Sequence, residues 1–195
     1  MNVFDFDKTI YSGDSTVHFC LYLMRRYPAV VGDFIGNLPV VLRYRRGKIS
    51  KTEMKESLYK CFRRVSDMEA ELARFWDGRM KNVEGWYLDV KRDDDVVISA
   101  SPEFLVKGCC ERLGIKHVLA SRVDPKTGEY YGLNCYGAEK PVRFDEYFGN
   151  GRRSEIEAFY SDSYSDAPLA LLAKKAYLIK KHKPTEWDHS KNRKI

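Results

Sequence analysis

The chain has 195 residues, a net charge of +6, 44% hydrophobic and 32% charged residues, a balance expected of a globular protein with one core, or a core carrying an insertion. No apolar run approaches the roughly 20 residues that cross a bilayer, because Pro28–Leu42 is broken by Gly32, Asp33, Gly36, Asn37 and Pro39. The five cysteines are odd in number and contain no Cys-x-x-Cys pair, so neither a zinc site nor a disulfide framework is expected and the thiols read as reduced in a cytoplasmic protein.

Residues 2–6 read as a short buried strand, too acidic at Asp5 and Asp7 for a secretory leader. A turn at Gly13–Asp14 follows. Val17, Cys20, Leu21 and Met24 then recur at helical spacing. Ser50 with Glu53 predicts a capping box ahead of Met54, Leu58, Cys61, Phe62 and Val65, and Ser66 with Glu69 predicts another ahead of Leu72, Phe75, Trp76 and Met80. Residues 14–91 are therefore expected to form an all-helical unit of about four helices. The pattern changes at Val96–Ile98, a β-branched strand. Ser101-Pro102 predicts a helix start, with proline at the first helical position and a stop at Gly114. A strand near Val118–Ala120, a hairpin over 121–136, a helix over 139–147, a strand at Ile156–Tyr160, a helix over 166–174 and a last strand at Ala176–Ile179 complete the chain. The basic residues after Ala173, from Lys174 to Arg193 and Lys194, read as a solvated tail.

Strands alternating with helices imply a parallel α/β sheet, interrupted after its first strand by the helical unit. Ligands of such sheets bind at the carboxyl ends of the strands. That rule selects Asp5, Ser99, Lys140 and Asp162. Asp5 and Asp7 lie two residues apart, so an extended strand would turn both the same way. One carboxylate can then attack while the other moves protons. Ser99 is either a hydrogen-bond donor to a phosphoryl oxygen or a helix cap, a role for which Ser101 is better placed. Lys140 either neutralises an anionic substrate or is a solvated surface lysine. Asp162 can join Asp5 on a cation, and Asp166 can cap the last helix.

Taken in order, DFDKT at Asp5–Thr9, Ser99 after VVI, Lys140 in GAEK and DSYSD at Asp162–Asp166 resemble the haloacid dehalogenase-like hydrolase superfamily. The resemblance implies a Rossmann-like core over 1–13 and 92–195, with a helical cap over 14–91 similar to the subgroup that contains phosphoserine phosphatase. It implies Asp5 as the nucleophile that forms an aspartyl-phosphate, and Asp7 as acid and then base. Mg2+ would be held by Asp5, the Asp7 carbonyl and Asp162. Thr9 and Ser99 would orient the phosphoryl group, Lys140 would stabilise its charge, and Asp166 would position Lys140 or metal-bound water. Dehalogenase members lack the second aspartate, so Asp7 favours phosphoryl transfer. Asp14, Ser99, Ser101 and Lys140 are the expected substrate contacts. Phosphoserine phosphatases carry a glutamate where Asp14 stands, which leaves the substrate open.

The expected partner is a small phosphorylated metabolite. Related phosphatidylglycerophosphate phosphatases share the Tyr-Ser-Asp-Ser type of fourth motif, and Val40–Leu42 followed by Arg43, Arg45, Arg46 and Lys48 could face a lipid headgroup or be a cap helix with a solvated basic end. The net charge also permits a nucleic-acid-binding protein without catalysis, but no recognised nucleic-acid motif supports it.

Overall fold

A computed structural model describes residues 1–194, with the side chains of Arg193 and Lys194 and the whole of Ile195 outside the described part. Six strands form one sheet in the order β3-β2-β1-β4-β5-β6. The strands are β1 Asn2–Phe4, β2 Val96–Pro102, β3 His117–Ser121, β4 Ala158–Ser161, β5 Lys175–Lys180 and β6 Lys183–Glu186. β1 to β5 are parallel, with Val3 opposite both Val96 and Phe159.

Alternation along the strands separates two cores. Val3, Val96, Ile98 and Phe159 face one side, where they meet Phe144 of α8 (Glu139–Phe148) and Leu169 of α9 (Ala167–Ala170). Phe4 and Val97 face the other, packed on α7 (Glu103–Arg112) and on the helical insertion. On that face Phe4, Tyr160 and Tyr177 stack across three neighbouring strands, with ring centroids 4.6 and 4.9 Å apart.

Between β1 and β2 come α1 (Ser15–Arg26), α2 (Pro28–Gly36), α3 (Leu38–Arg45), α4 (Lys51–Tyr59), α5 (Met68–Arg79) and α6 (Gly85–Val90). That is six helices where about four are expected, with α2 and α3 each carrying a proline in its first turn. The α4 capping box forms as expected between Ser50 and Glu53. At α5 the cap is Asp67, which accepts from the Ala70 amide, so the expected Ser66–Glu69 box does not form and a single aspartate cap one residue later replaces it. The chain leaves and re-enters the sheet side by side: the Ser12 amide donates to Asn82 and the Glu84 amide to Ile10, each at 2.8 Å.

Three other expectations change. Pro102 closes β2 and α7 begins at Glu103. The 121–136 hairpin reduces to a Val123–Tyr130 bridge around the Asp124–Gly128 turn. Gly128 is needed there: its φ is +80°, and an added Cβ would lie 2.3 Å from the Tyr59 carbonyl oxygen of the insertion. Finally, the basic tail is not simply solvated chain. Lys175 and Lys180 lie in β5, and Lys183 begins the antiparallel β6, a strand the sequence reading misses. Arg193 and Lys194 of that tail fall among the undescribed side chains.

Candidate functional site

β1 stops at Phe4, earlier than expected, and the chain turns at once. The amides of Thr9, Ile10 and Tyr11 all converge on the Phe6 carbonyl, and Lys8 adopts φ +58°. Phe6 anchors the turn in the core against Tyr11 and Trp76. Asp5 and Asp7 consequently both line a cavity of about 580 Å³ at the carboxyl end of the sheet. They arrive there through a turn held by Phe6, not through strand alternation.

Lys140, the second residue of α8, is the centre of the site. Its Nζ lies 2.6 Å from Asp5 Oδ1 and 2.6 Å from Asp166 Oδ2, and the side chain is 2% exposed. The Ser161 hydroxyl donates to the same Asp166 oxygen at 2.7 Å. The Asp166 side chain is thus ion-paired with Lys140 and does not cap α9. Burial alone would lower the lysine's pKa, but Asp166 and Asp5 outweigh it and hold the ammonium charged. Burial pushes the Asp5 carboxyl up to about 7, with Lys140 pulling against it and the charges of Asp166 and Asp162 adding to the rise.

Asp7 is held separately. Its Oδ1 accepts from the Ser15 amide at 2.6 Å, in the first turn of α1, and its Oδ2 accepts from the Ser101 hydroxyl. Burial, then the nearby Asp14 charge, raise its pKa against those hydrogen bonds. Ser101 reaches Asp7 because a bulge between Ser99 and Pro102 pushes Ala100 and Ser101 out of the ladder. The Thr16 hydroxyl supports Ser101 at 2.8 Å. Ser101 thus serves Asp7 and not the α7 cap. Ser99 is buried beside it, and its Oγ accepts from the Ser101 amide at 3.1 Å, leaving its own proton for a ligand.

Asp162 and Asp14 also line the cavity, and Asp14 caps α1 through the Val17 amide. Thr9 is the exception among the expected residues. It is fully buried, its hydroxyl has no partner, and it is not part of the cavity wall.

Two features escaped the sequence reading. First, the insertion supplies an apolar wall of Val17, Leu21, Met24, Phe34, Met54 and Leu58. Val17 and Leu21 belong to the periodic stripe of α1, but they stay half exposed on the cavity while Phe19 and Leu23 enter the core. Second, Lys55 of α4 crosses to the sheet, where its Nζ donates to the Ala100 carbonyl at 2.8 Å. Burial, then neighbouring Lys51, lower its pKa to about 8. The i, i+4 pairs Lys51/Lys55 and Met54/Leu58 carried that signal.

Among the described residues no three His, Cys, Asp or Glu side chains form a metal cluster of their own. Mg2+ does not need one, since it binds through one or two carboxylates together with water and substrate phosphate. The donor set fits: hard oxygens from Asp5 and Asp162 border one cavity, and Asp166 Oδ1 is buried without a partner.

A parallel α/β sheet with a buried carboxylate–lysine–carboxylate cluster at the carboxyl ends of its strands defines a class of enzyme-like α/β folds. Within that class, this chain belongs to the haloacid dehalogenase-like hydrolases, whose family model matches residues 3–171. No curated protein matches the chain. Its fold is similar to that of a protein of unknown function from Bordetella pertussis Tohama I, at 21% identity and a TM-score of 0.74, over 91% of this chain and 88% of that one. It is also similar to a phosphoserine phosphatase carrying a phospho-aspartyl intermediate analogue, at 17% identity and a TM-score of 0.53, over 90% and 84%. A HAD family hydrolase from Salmonella enterica serovar Typhi matches at 12% identity and a TM-score of 0.58, over 89% and 60%.

Proposed function

We propose that the chain is a Mg2+-dependent phosphohydrolase that cleaves a phosphate monoester through an aspartyl-phosphate on Asp5. The observation that carries the reading is the Lys140 ammonium, fixed at 2.6 Å from both Asp5 and Asp166 at the floor of the cavity. Phosphoryl transfer is mainly a matter of positioning and charge neutralisation. Asp5, the Asp7 carbonyl and Asp162 would hold Mg2+, which supplies positive charge to the phosphoryl oxygens. Lys140 supplies a fixed positive charge beside the nucleophile, and Ser99 donates its hydroxyl proton to a phosphoryl oxygen.

An Asp5 carboxylate oxygen attacks phosphorus as the bond to the leaving alcohol oxygen breaks. Protonated Asp7 gives its proton to that oxygen; its raised pKa suits the task. The resulting Asp7 carboxylate takes a proton from water, whose oxygen attacks the same phosphorus. The bond to Asp5 breaks, phosphate leaves and both side chains are restored. Residues 14–91 act as a cap over a core of 1–13 and 92–195, and α1 holds Asp7 in place through the Ser15 amide. Asp5→Asn should abolish Mg2+-dependent release of p-nitrophenol from p-nitrophenyl phosphate. Unchanged turnover in that variant would remove the mechanism.

For the substrate, the apolar wall favours a second reading over a wholly polar metabolite such as phosphoserine: the leaving group carries hydrocarbon, as in a lipid phosphate. Turnover of a short-chain lipid phosphate should exceed that of phosphoserine in kcat/KM. The reverse order would favour a small polar metabolite.

A further inference from the structure

Helix α2 is the most apolar helix of the insertion, yet only Val30 of its nine residues is buried. Val31 and Ile35, at i and i+4 on one face, are 41% and 62% exposed. Leu38 and Leu42 repeat that spacing on α3, where no residue is buried, at 57% and 49%. The last turn of α3 and the loop that follows carry the exposed cations Arg43, Arg45, Arg46 and Lys48. None of the four enters an ion pair among the described residues. The single acid of the segment, Asp33, is already paired with Arg64 at 3.0 Å. An apolar helical face with a cationic rim is therefore left open to solvent.

From this surface we infer that α2 and α3 dock the protein on an anionic lipid bilayer, with Val31, Ile35, Leu38 and Leu42 entering the headgroup boundary and the four cations meeting lipid phosphates. Charge selects this occupant. A second copy of the chain on the same face would bring two sets of unpaired cations together, whereas an anionic surface neutralises them. The position of α2 beside the cavity supports it as well. Phe34, one residue from Ile35 on α2, lines the catalytic cavity, as do the half-exposed Val17 and Leu21 of α1. Helix α2 thus contributes Phe34 to the cavity wall and Val31 and Ile35 to the docking face. Docking rests on that surface alone and holds whatever reaction the cavity performs.

The test is co-sedimentation of the full chain with vesicles of phosphatidylcholine alone or mixed with phosphatidylglycerol, at low and high salt. Binding is expected only to the anionic vesicles and should weaken with salt. Each cation near such a surface strengthens partitioning by roughly fivefold, so Arg45→Glu with Arg46→Glu should weaken binding at least tenfold. Ile35→Glu with Leu38→Glu should abolish it. All four positions are exposed, so both double variants should keep the parent melting temperature and the parent turnover of p-nitrophenyl phosphate. Absence of binding to anionic vesicles at low salt overturns the proposal. So does parent-like binding by the Ile35/Leu38 variant, or a dimer of the parent chain that those two substitutions dissociate.

Discussion

Replacing Lys140 by Met keeps the bulk of the side chain and deletes the one charge that joins Asp5 to Asp166. Both carboxylates are nearly buried, and each loses an ion pair of 2.6 Å. Removing one partner of a buried pair costs about 3–5 kcal/mol, a large part of the 5–15 kcal/mol that holds a typical domain together. The loss should depend on pH. Without the ammonium the folded-state pKa of Asp5 rises further above about 7, so the penalty is full above that range and relieved as pH falls through it. Thermal melts should therefore show the variant far below the parent at alkaline pH and closer to it in mild acid. Activity should not recover with stability. Withdrawing a charge worth about 3–4 kcal/mol from the transition state lowers kcat/KM by a few hundred- to a thousandfold. The assay is Mg2+-dependent p-nitrophenyl phosphate turnover at a pH where circular dichroism shows the variant folded. A folded Lys140→Met protein within about threefold of the parent would refute the role given to this lysine.

Asp7→Asn should slow an alkyl phosphate roughly a hundredfold or more, the usual contribution of general acid catalysis. Formation of the phospho-enzyme from p-nitrophenyl phosphate, whose leaving group needs little proton donation, should slow much less; equal losses on both substrates would argue against Asp7 as the acid. Lys55→Met removes a cavity cation that donates to the Ala100 carbonyl and should raise KM for anionic substrates with a smaller change in kcat; a change confined to kcat would contradict a binding role. Asp95 is 1% exposed and leaves Oδ1 unpartnered, and burial pushes its carboxyl up to about 6. The parent is thus penalised as pH rises from about 4 to 6, and Asp95→Asn should gain about 2–3 kcal/mol relative to it between pH 4 and 7 in denaturant titrations. A pH-independent difference would show that Asp95 ionises freely.

The chemistry was more legible than the geometry that delivers it. Val96–Ile98 announced a buried strand because β-branched runs fit nowhere else so well. The order of Asp5, Ser99, Lys140 and Asp162 along alternating elements placed them all at one edge of the sheet. Pairwise contacts stayed hidden where they cross the chain. Ser101 looks like a helix cap locally, and only the β2 bulge carries it to Asp7. Val17 and Leu21 fit a helical stripe, but periodicity does not distinguish a core from a cavity. β6 escaped notice because KPTE is polar and has a proline as its second residue; it pairs only at the sheet edge, after a Lys181–His182 turn in which both residues adopt positive φ. Thr9 matches a motif, while its hydroxyl is buried without a partner and the residue is not part of the cavity wall.

The proposed mechanism requires a covalent bond between phosphorus and Asp5. Acid-quenching a reaction with a radiolabelled phosphate monoester, followed by peptide mapping, measures it directly. Mg2+-dependent label on the peptide that contains Asp5, absent in Asp5→Asn and accumulating in Asp7→Asn, is the expected result. Label on another residue, or steady turnover in Asp5→Asn with no labelled protein at any time, would contradict it.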